Sequence, residues 1–107
     1  MPGSLWRSEV EQSQPLKKHK AFTHTTSSAS AETIVSIDGN MEEAVKVSLV
    51  VELADAYIEF DGTASSTSML IPQNEGYSDN GISIISNISV KRSGSTNVRV
   101  RGIIWGF

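Results

Sequence analysis

Hydrophobic and polar residues alternate along most of the chain after residue 31, and this alternation predicts β-strands. The clearest case lies between residues 42 and 53. Every second position there is apolar, namely Val45, Val47, Leu49, Val51 and Leu53. Val50 is the one exception to the alternation. A period of two is typical of a strand with one buried face, whereas an amphipathic helix needs apolar residues three and four positions apart.

Other short segments predict further strands, by alternation or, at 33–37 and 69–71, by their β-branched or apolar residues. They cover residues 33–37, 56–60, 69–71, 82–90 and 98–107, with a bend or bulge at 85–87. Turns are predicted at 38–40 and 61–62, a hairpin turn at 92–97, and a loop at 73–81, where Gly, Asn and Asp dominate. About seven short strands and no helix predict an all-β fold, either an antiparallel β-sandwich or a jelly-roll.

The first 31 residues have a different composition. Their large apolar residues are few: Leu5, Trp6, Val10, Leu16 and Phe22. So little apolar surface cannot offset the entropy that the segment loses on ordering. We therefore expect an extended N-terminal arm over 1–31, disordered alone or ordered by a neighbour, followed by a β-sandwich domain over 32–107.

Composition narrows the possible functions. A body of this size buries only roughly 60% of the surface of its unfolded chain, so oligomerisation is an expected source of stability. The chain has no Cys and two His, both in the arm. We expect no catalytic site, no metal and no cofactor, since the body lacks a histidine and its acidic residues match no calcium-loop spacing. The net charge is −3, with the basic excess in the arm, so direct nucleic-acid binding is not expected.

The last predicted strand has two dissimilar faces. Val98, Val100 and Ile104 are predicted to face the core, while Gly102 and Gly106 indicate a bulge or a close approach. A solvated face seldom carries large apolar residues, so the other face is covered within the subunit or by a partner. Because Trp, Phe and Arg are enriched at interfaces, a partner is favoured. The predicted interface residues are Leu5, Trp6, Phe22, Arg99, Arg101, Ile103, Trp105 and Phe107.

Two weaker signals point to other ligands. The loop 73–81 places Tyr77 among amide and carboxylate residues, a composition that also occurs in sugar-contacting loops. The basic cluster at residues 17–20 could contact phosphate. A solvated loop and a solvated arm are the favoured interpretations of these two segments. No apolar run reaches the ~18 residues of a membrane-spanning helix, and the N-terminus has no signal-peptide core, so we expect synthesis in a cytoplasm.

The order of segments in the body resembles a known class of proteins. Residues 56–62 (AYIEFDG) precede 64–72 (ASSTSMLIP), a polar loop, 81–85 (GISII) and 98–102 (VRVRG). This order, which covers roughly half of the chain, is similar to that of small β-sandwich structural proteins of tailed-bacteriophage virions, of collar, head–tail joining, decoration or tail-accessory type.

The resemblance implies a structural virion protein, made in the host cytoplasm, that assembles as an oligomer on the capsid or head–tail junction through its arm and C-terminal strand. The implied partners are other copies of the chain and neighbouring virion proteins, with no membrane. The alternative is a carbohydrate- or receptor-binding module of a phage fibre, which would use its loops.

Overall fold

The computed structural model describes residues 18–107. This part of the chain contains eight β-strands and no helix, which confirms the all-β prediction. The strands are β1 (Lys18–Thr25), β2 (Glu32–Ser36), β3 (Ala44–Glu52), β4 (Ala56–Phe60), β5 (Met69–Ile71), β6 (Glu75–Asp79), β7 (Asn87–Arg92) and β8 (Arg99–Gly106).

The strands form two antiparallel sheets of four strands each. Sheet A has the order β1-β8-β3-β6 and sheet B the order β2-β7-β4-β5. The chain changes sheet at every connection except the one between β4 and β5. The segment 92–97, predicted as a hairpin turn, therefore carries the chain from β7 in sheet B to β8 in sheet A. Its turn residues were identified, but the strands on either side of it do not pair with each other.

The inner faces of the two sheets form one hydrophobic core. Val98, Val100 and Ile104 are all fully buried, as the alternation in the last strand predicts. Ile58 and Val90 of sheet B belong to the same core. Burial of each such side chain contributes about 1.5–3 kcal/mol, so the core accounts for the main favourable term in folding.

The first strand begins well before the predicted start of the domain at residue 32. β1 pairs with β8 along its whole length, from Lys18 opposite Gly106 to Thr25 opposite Arg99. The sequence placed these residues in the arm because they hold only one large apolar side chain, Phe22. That side chain is 9% exposed and packs in the core, so Phe22 is a core residue and not part of the predicted interface. Residues 1–17, which include the predicted interface residues Leu5 and Trp6, lie outside the described part of the chain.

Residues 75–79 form β6, although the sequence predicts a loop there. They pair with β3, with Tyr77 opposite Leu49. β3 offers a row of backbone hydrogen-bonding groups, and the polar segment satisfies them despite its weak intrinsic preference for strand. The predicted strand 82–90 is correspondingly shorter, because β7 begins at Asn87 and the preceding residues make only one bridge, between Ala44 and Ile84.

Two carboxylates fix loops at the rims of the sandwich. Asp61, at a positive φ of 56°, accepts hydrogen bonds of 2.6–3.2 Å from the backbone N–H groups of residues 85–87. Glu32 accepts a bond of 2.9 Å from the Ser27 N–H and one of 2.8 Å from His24 Nε2 if that nitrogen carries the proton. These bonds hold the pKa of Glu32 below its ordinary value, and the bond from Ser27 has a larger effect than the bond with His24.

Candidate interaction surface on sheet A

The register of β1, β8 and β3 places the predicted interface residues of β8 on the side of sheet A that faces away from the core. Residues directly opposite each other in paired strands share a face, and successive residues alternate between faces. The sheet A outer face therefore contains His19, Ala21, Thr23 and Thr25 of β1, Arg99, Arg101, Ile103 and Trp105 of β8, and Lys46, Ser48, Val50 and Glu52 of β3.

One end of the sheet A outer face is apolar. Ile103 and Trp105 are half-buried there and stand outside the hydrophobic core of the described residues, and Val50 lies diagonally across from Ile103. The Lys46 Nζ atom lies 4.7 Å from the centroid of a Trp105 ring, a cation–π contact worth about 0.5–1 kcal/mol at an exposed site. Trp105 therefore lies on a surface of sheet A and contributes no packing between the two sheets.

The other end of the same face is cationic. Glu52 accepts a hydrogen bond of 2.8 Å from Arg99 Nε and one of 2.7 Å from Arg101 Nη2. These two bonds hold the pKa of Glu52 below its ordinary value, and the bond from Arg99 has the larger effect. The side chains of Arg99 and Arg101 remain 39% and 53% exposed. Each guanidinium has five N–H donors, so the pair keeps donors available for a second anionic group.

The structure thus brings together four of the eight predicted interface residues. Phe107 ends the chain beside this face and is 41% exposed. Its backbone is held, because its N–H donates to the Glu43 carbonyl at 3.0 Å and its carbonyl accepts from the Glu42 N–H at 2.7 Å. Sequence reasoning missed Lys46 and Glu52, which join the surface from a strand more than forty residues away. No local pattern marks them, since their role depends on the register between β3 and β8.

The segment considered for sugar contact does not present an open aromatic ring. Tyr77 packs against Phe60, with ring centroids 6.0 Å apart, and its hydroxyl donates a hydrogen bond of 2.8 Å to Asp79. That hydrogen bond raises the pKa of Tyr77 above its ordinary value. Since a sugar-stacking platform needs a free ring face, this tyrosine is poorly placed for the role.

The described part of the basic cluster faces a shallow cleft with a carboxylate in it. Lys20 Nζ lies 3.4 Å from Asp38 Oδ1 and donates a bond of 3.2 Å to the Ser36 carbonyl. Lys18 and His19 line the same cleft. A carboxylate already paired with Lys20 is unfavourable for phosphate binding.

Among residues 18–107, no three His, Asp or Glu side chains are grouped in a way that could hold a metal ion. The same part of the chain has no helix long and apolar enough to cross a bilayer. No protein-family model matches the chain, and no curated protein shows significant similarity to it.

Proposed function

We propose that this chain is a structural protein of a tailed-bacteriophage virion, and that it assembles as an oligomer on the capsid or the head–tail junction. The observation that carries the proposal is the sheet A outer face. It combines half-buried Ile103 and Trp105 with exposed Arg99 and Arg101, directly beside the strand into which the N-terminal residues lead.

The topology supports an architecture that viruses use. The hydrogen-bonded pairs β1–β8, β2–β7, β3–β6 and β4–β5 are nested, so the chain forms one long hairpin that wraps into two sheets. Eight strands wound in this way make a jelly-roll, which occurs in viral capsid proteins and also in lectins and cupins. Because one fold serves several functions, the evidence that discriminates between these functions is the set of residues on the surface.

The surface favours assembly over sugar binding. Aromatic residues together with arginines are the usual anchors of protein interfaces. Lys46 lies over a ring of Trp105, where a stacked sugar would sit, and Tyr77 packs against Phe60 of sheet B at the edge of the core. A carbohydrate- or receptor-binding module therefore remains the second candidate.

Incorporation into particles tests the proposal. The variant Trp105→Ala, or a chain lacking residues 1–17, would be produced in cells infected with the encoding phage. The particles would then be purified on a gradient, and the amount of the chain in them measured by mass spectrometry. Both variants keep every core side chain of the described sandwich, so we expect melting temperatures close to that of the parent and a loss of incorporation. Leu70→Ala, at a 48% exposed apolar residue on sheet B, is the matched control and should incorporate normally.

Normal incorporation of both variants, or absence of the parent chain from the particles, would contradict this function. An early melting transition of Trp105→Ala would show instead that Trp105 stabilises the subunit itself. Binding of the isolated chain to host surface glycans, retained in Trp105→Ala, would favour the second candidate, which would use its loops.

A further inference from the structure

We propose that the sheet A outer face binds residues 5–11 of a second copy of this chain, with Glu9 paired with Arg101 and Glu11 with Arg99. This inference rests on the proposed assembly function, and it names the partner and the contacts of that same surface.

The first argument is charge complementarity. Arg99 and Arg101 share one carboxylate, Glu52, so this end of the face keeps a net positive charge in a protein of net charge −3. The segment 5–11 carries Glu9 and Glu11 and is net acidic despite Arg7. Opposed potentials of this kind fix the register of an interface and suppress wrong pairings.

The second argument is the order of apolar and charged groups. Along β8, the arginines precede Ile103 and Trp105, and the two centres lie about four residues or ~13 Å apart. In residues 5–11 the order is reversed, because Leu5 and Trp6 precede the glutamates. Their centres are four to five residues apart, or ~15 Å if the segment is extended. An antiparallel approach to β8 that pairs Glu9 with Arg101 and Glu11 with Arg99 places Leu5 opposite Trp105, with Arg7 opposite Ile103 between the two ends.

Chain length explains why the segment comes from a second copy. In this orientation Glu11 sits over Arg99, whereas β1 begins at Lys18, opposite Gly106. These two places are seven residues apart along β8, or ~23 Å, and an occupant of the face lies up to ~10 Å above the sheet. The seven residues from Glu11 to Lys18 span at most ~25 Å when fully extended. To place its own residues 5–11 on this face, a chain would have to extend residues 11–18 fully and reverse its direction twice. A second copy has no such constraint.

A mixing experiment with full-length chains tests the pairing. Glu9→Lys and Arg101→Glu each place like charges together, so each variant alone should self-associate at least roughly tenfold more weakly than the parent in sedimentation velocity. In an equimolar mixture, the altered segment of one chain meets the altered face of the other with opposite charge, and every remaining contact is parental. The mixture should therefore recover association, which a segment bound to its own subunit cannot do.

Glu75→Lys is the matched control, because it makes the same charge change as Glu9→Lys at an exposed residue that lies off this face, opposite the inward-facing Val51, and it should leave association unchanged. Circular dichroism melts would verify that all variants fold. A parent that stays monomeric up to about 100 µM, where even weak specific complexes form, would overturn the inference. So would variants that associate normally, or a mixture that fails to recover.

The outcomes separate this inference from the proposed function. If particles incorporate the chain through Trp105 but the mixture stays dissociated, the assembly role stands and the self-docking inference fails. If the mixture recovers but particles lack the chain, the self-docking stands and the virion role fails.

Discussion

Replacement of Gly102 by alanine adds one methyl group where β8 passes between its two neighbours. Gly102 is paired with Phe22 of β1 on one side and with Leu49 of β3 on the other. A Cβ atom at this position would lie 2.8 Å from the Leu49 Cβ and would overlap the Ser48 carbonyl oxygen. A flexible side-chain tip could move away, but these are atoms of the neighbouring strand itself.

The cost follows from the position of β8 in the sheet. Overpacking a well-filled interior by one or a few carbon atoms destabilises by about 1–3 kcal/mol. Because β8 is hydrogen-bonded on both sides, it cannot shift without distorting one of its two ladders, so we expect at least ~2 kcal/mol. A domain of this size changes its melting temperature by roughly 4–8 °C per kcal/mol, so the expected decrease is roughly 8 °C or more.

Urea unfolding followed by far-UV circular dichroism measures the effect. Gly94→Ala is the matched control, because nothing lies within 4 Å of a Cβ at Gly94 and its φ is not in the left-handed region. That control should be neutral or should stabilise by about 0.4–1 kcal/mol, through the lower entropy of the unfolded chain. An unfolding free energy of Gly102→Ala within about 0.5 kcal/mol of the parent would refute the close approach of β8 and β3.

Three further predictions concern the core, a loop and the pH dependence of stability. Ile84→Ala should cost about 2–5 kcal/mol because Ile84 is fully buried, whereas Ile85→Ala, at a residue 65% exposed, should change the unfolding free energy by less than about 0.5 kcal/mol, both measured by urea titration. Asp61→Ala removes the acceptor of three backbone N–H groups and should cost about 1–3 kcal/mol. Asp61→Asn, which keeps an acceptor and tolerates the positive φ, should melt closer to the parent, and equal melting of the two variants would contradict this role. The lowered pKa of Glu32 in the folded state stabilises the fold above the ordinary pKa of a glutamate, and this contribution is lost as the pH falls through the folded value. Glu32→Gln should therefore have a smaller drop in urea midpoint than the parent between neutral pH and about pH 3, and an unchanged drop would show that Glu32 is not involved.

Local patterns predicted the features that depend only on neighbouring residues. The alternation identified β3 and β8 and the buried positions Val98, Val100 and Ile104. The turn at 38–40 was recognised from its composition, and Gly39 there has a φ of +60°. These predictions succeed because a period of two, or a need for positive φ, is a property of a few consecutive residues.

The same reasoning failed where a distant strand supplies the stabilisation. β1 and β6 have weak strand signals and form because β8 and β3 offer them unsatisfied backbone groups. Leu53 follows the alternation of β3, yet it lies beyond the strand at a φ of 81° and is 46% exposed, since the chain turns there towards sheet B. In each case the deciding contact joins residues far apart in the chain.

The sequence by itself determined the all-β class, the inward face of the last strand and the four β8 residues of the candidate surface, because alternation assigns faces within one strand. Only the tertiary structure decided which strands are neighbours. It moved Phe22 from the predicted interface into the core, added Lys46 and Glu52 to the sheet A outer face and linked sheets A and B through the segment 92–97. Register between strands depends on how two sheets bury their apolar faces together, and no short stretch of residues contains that information.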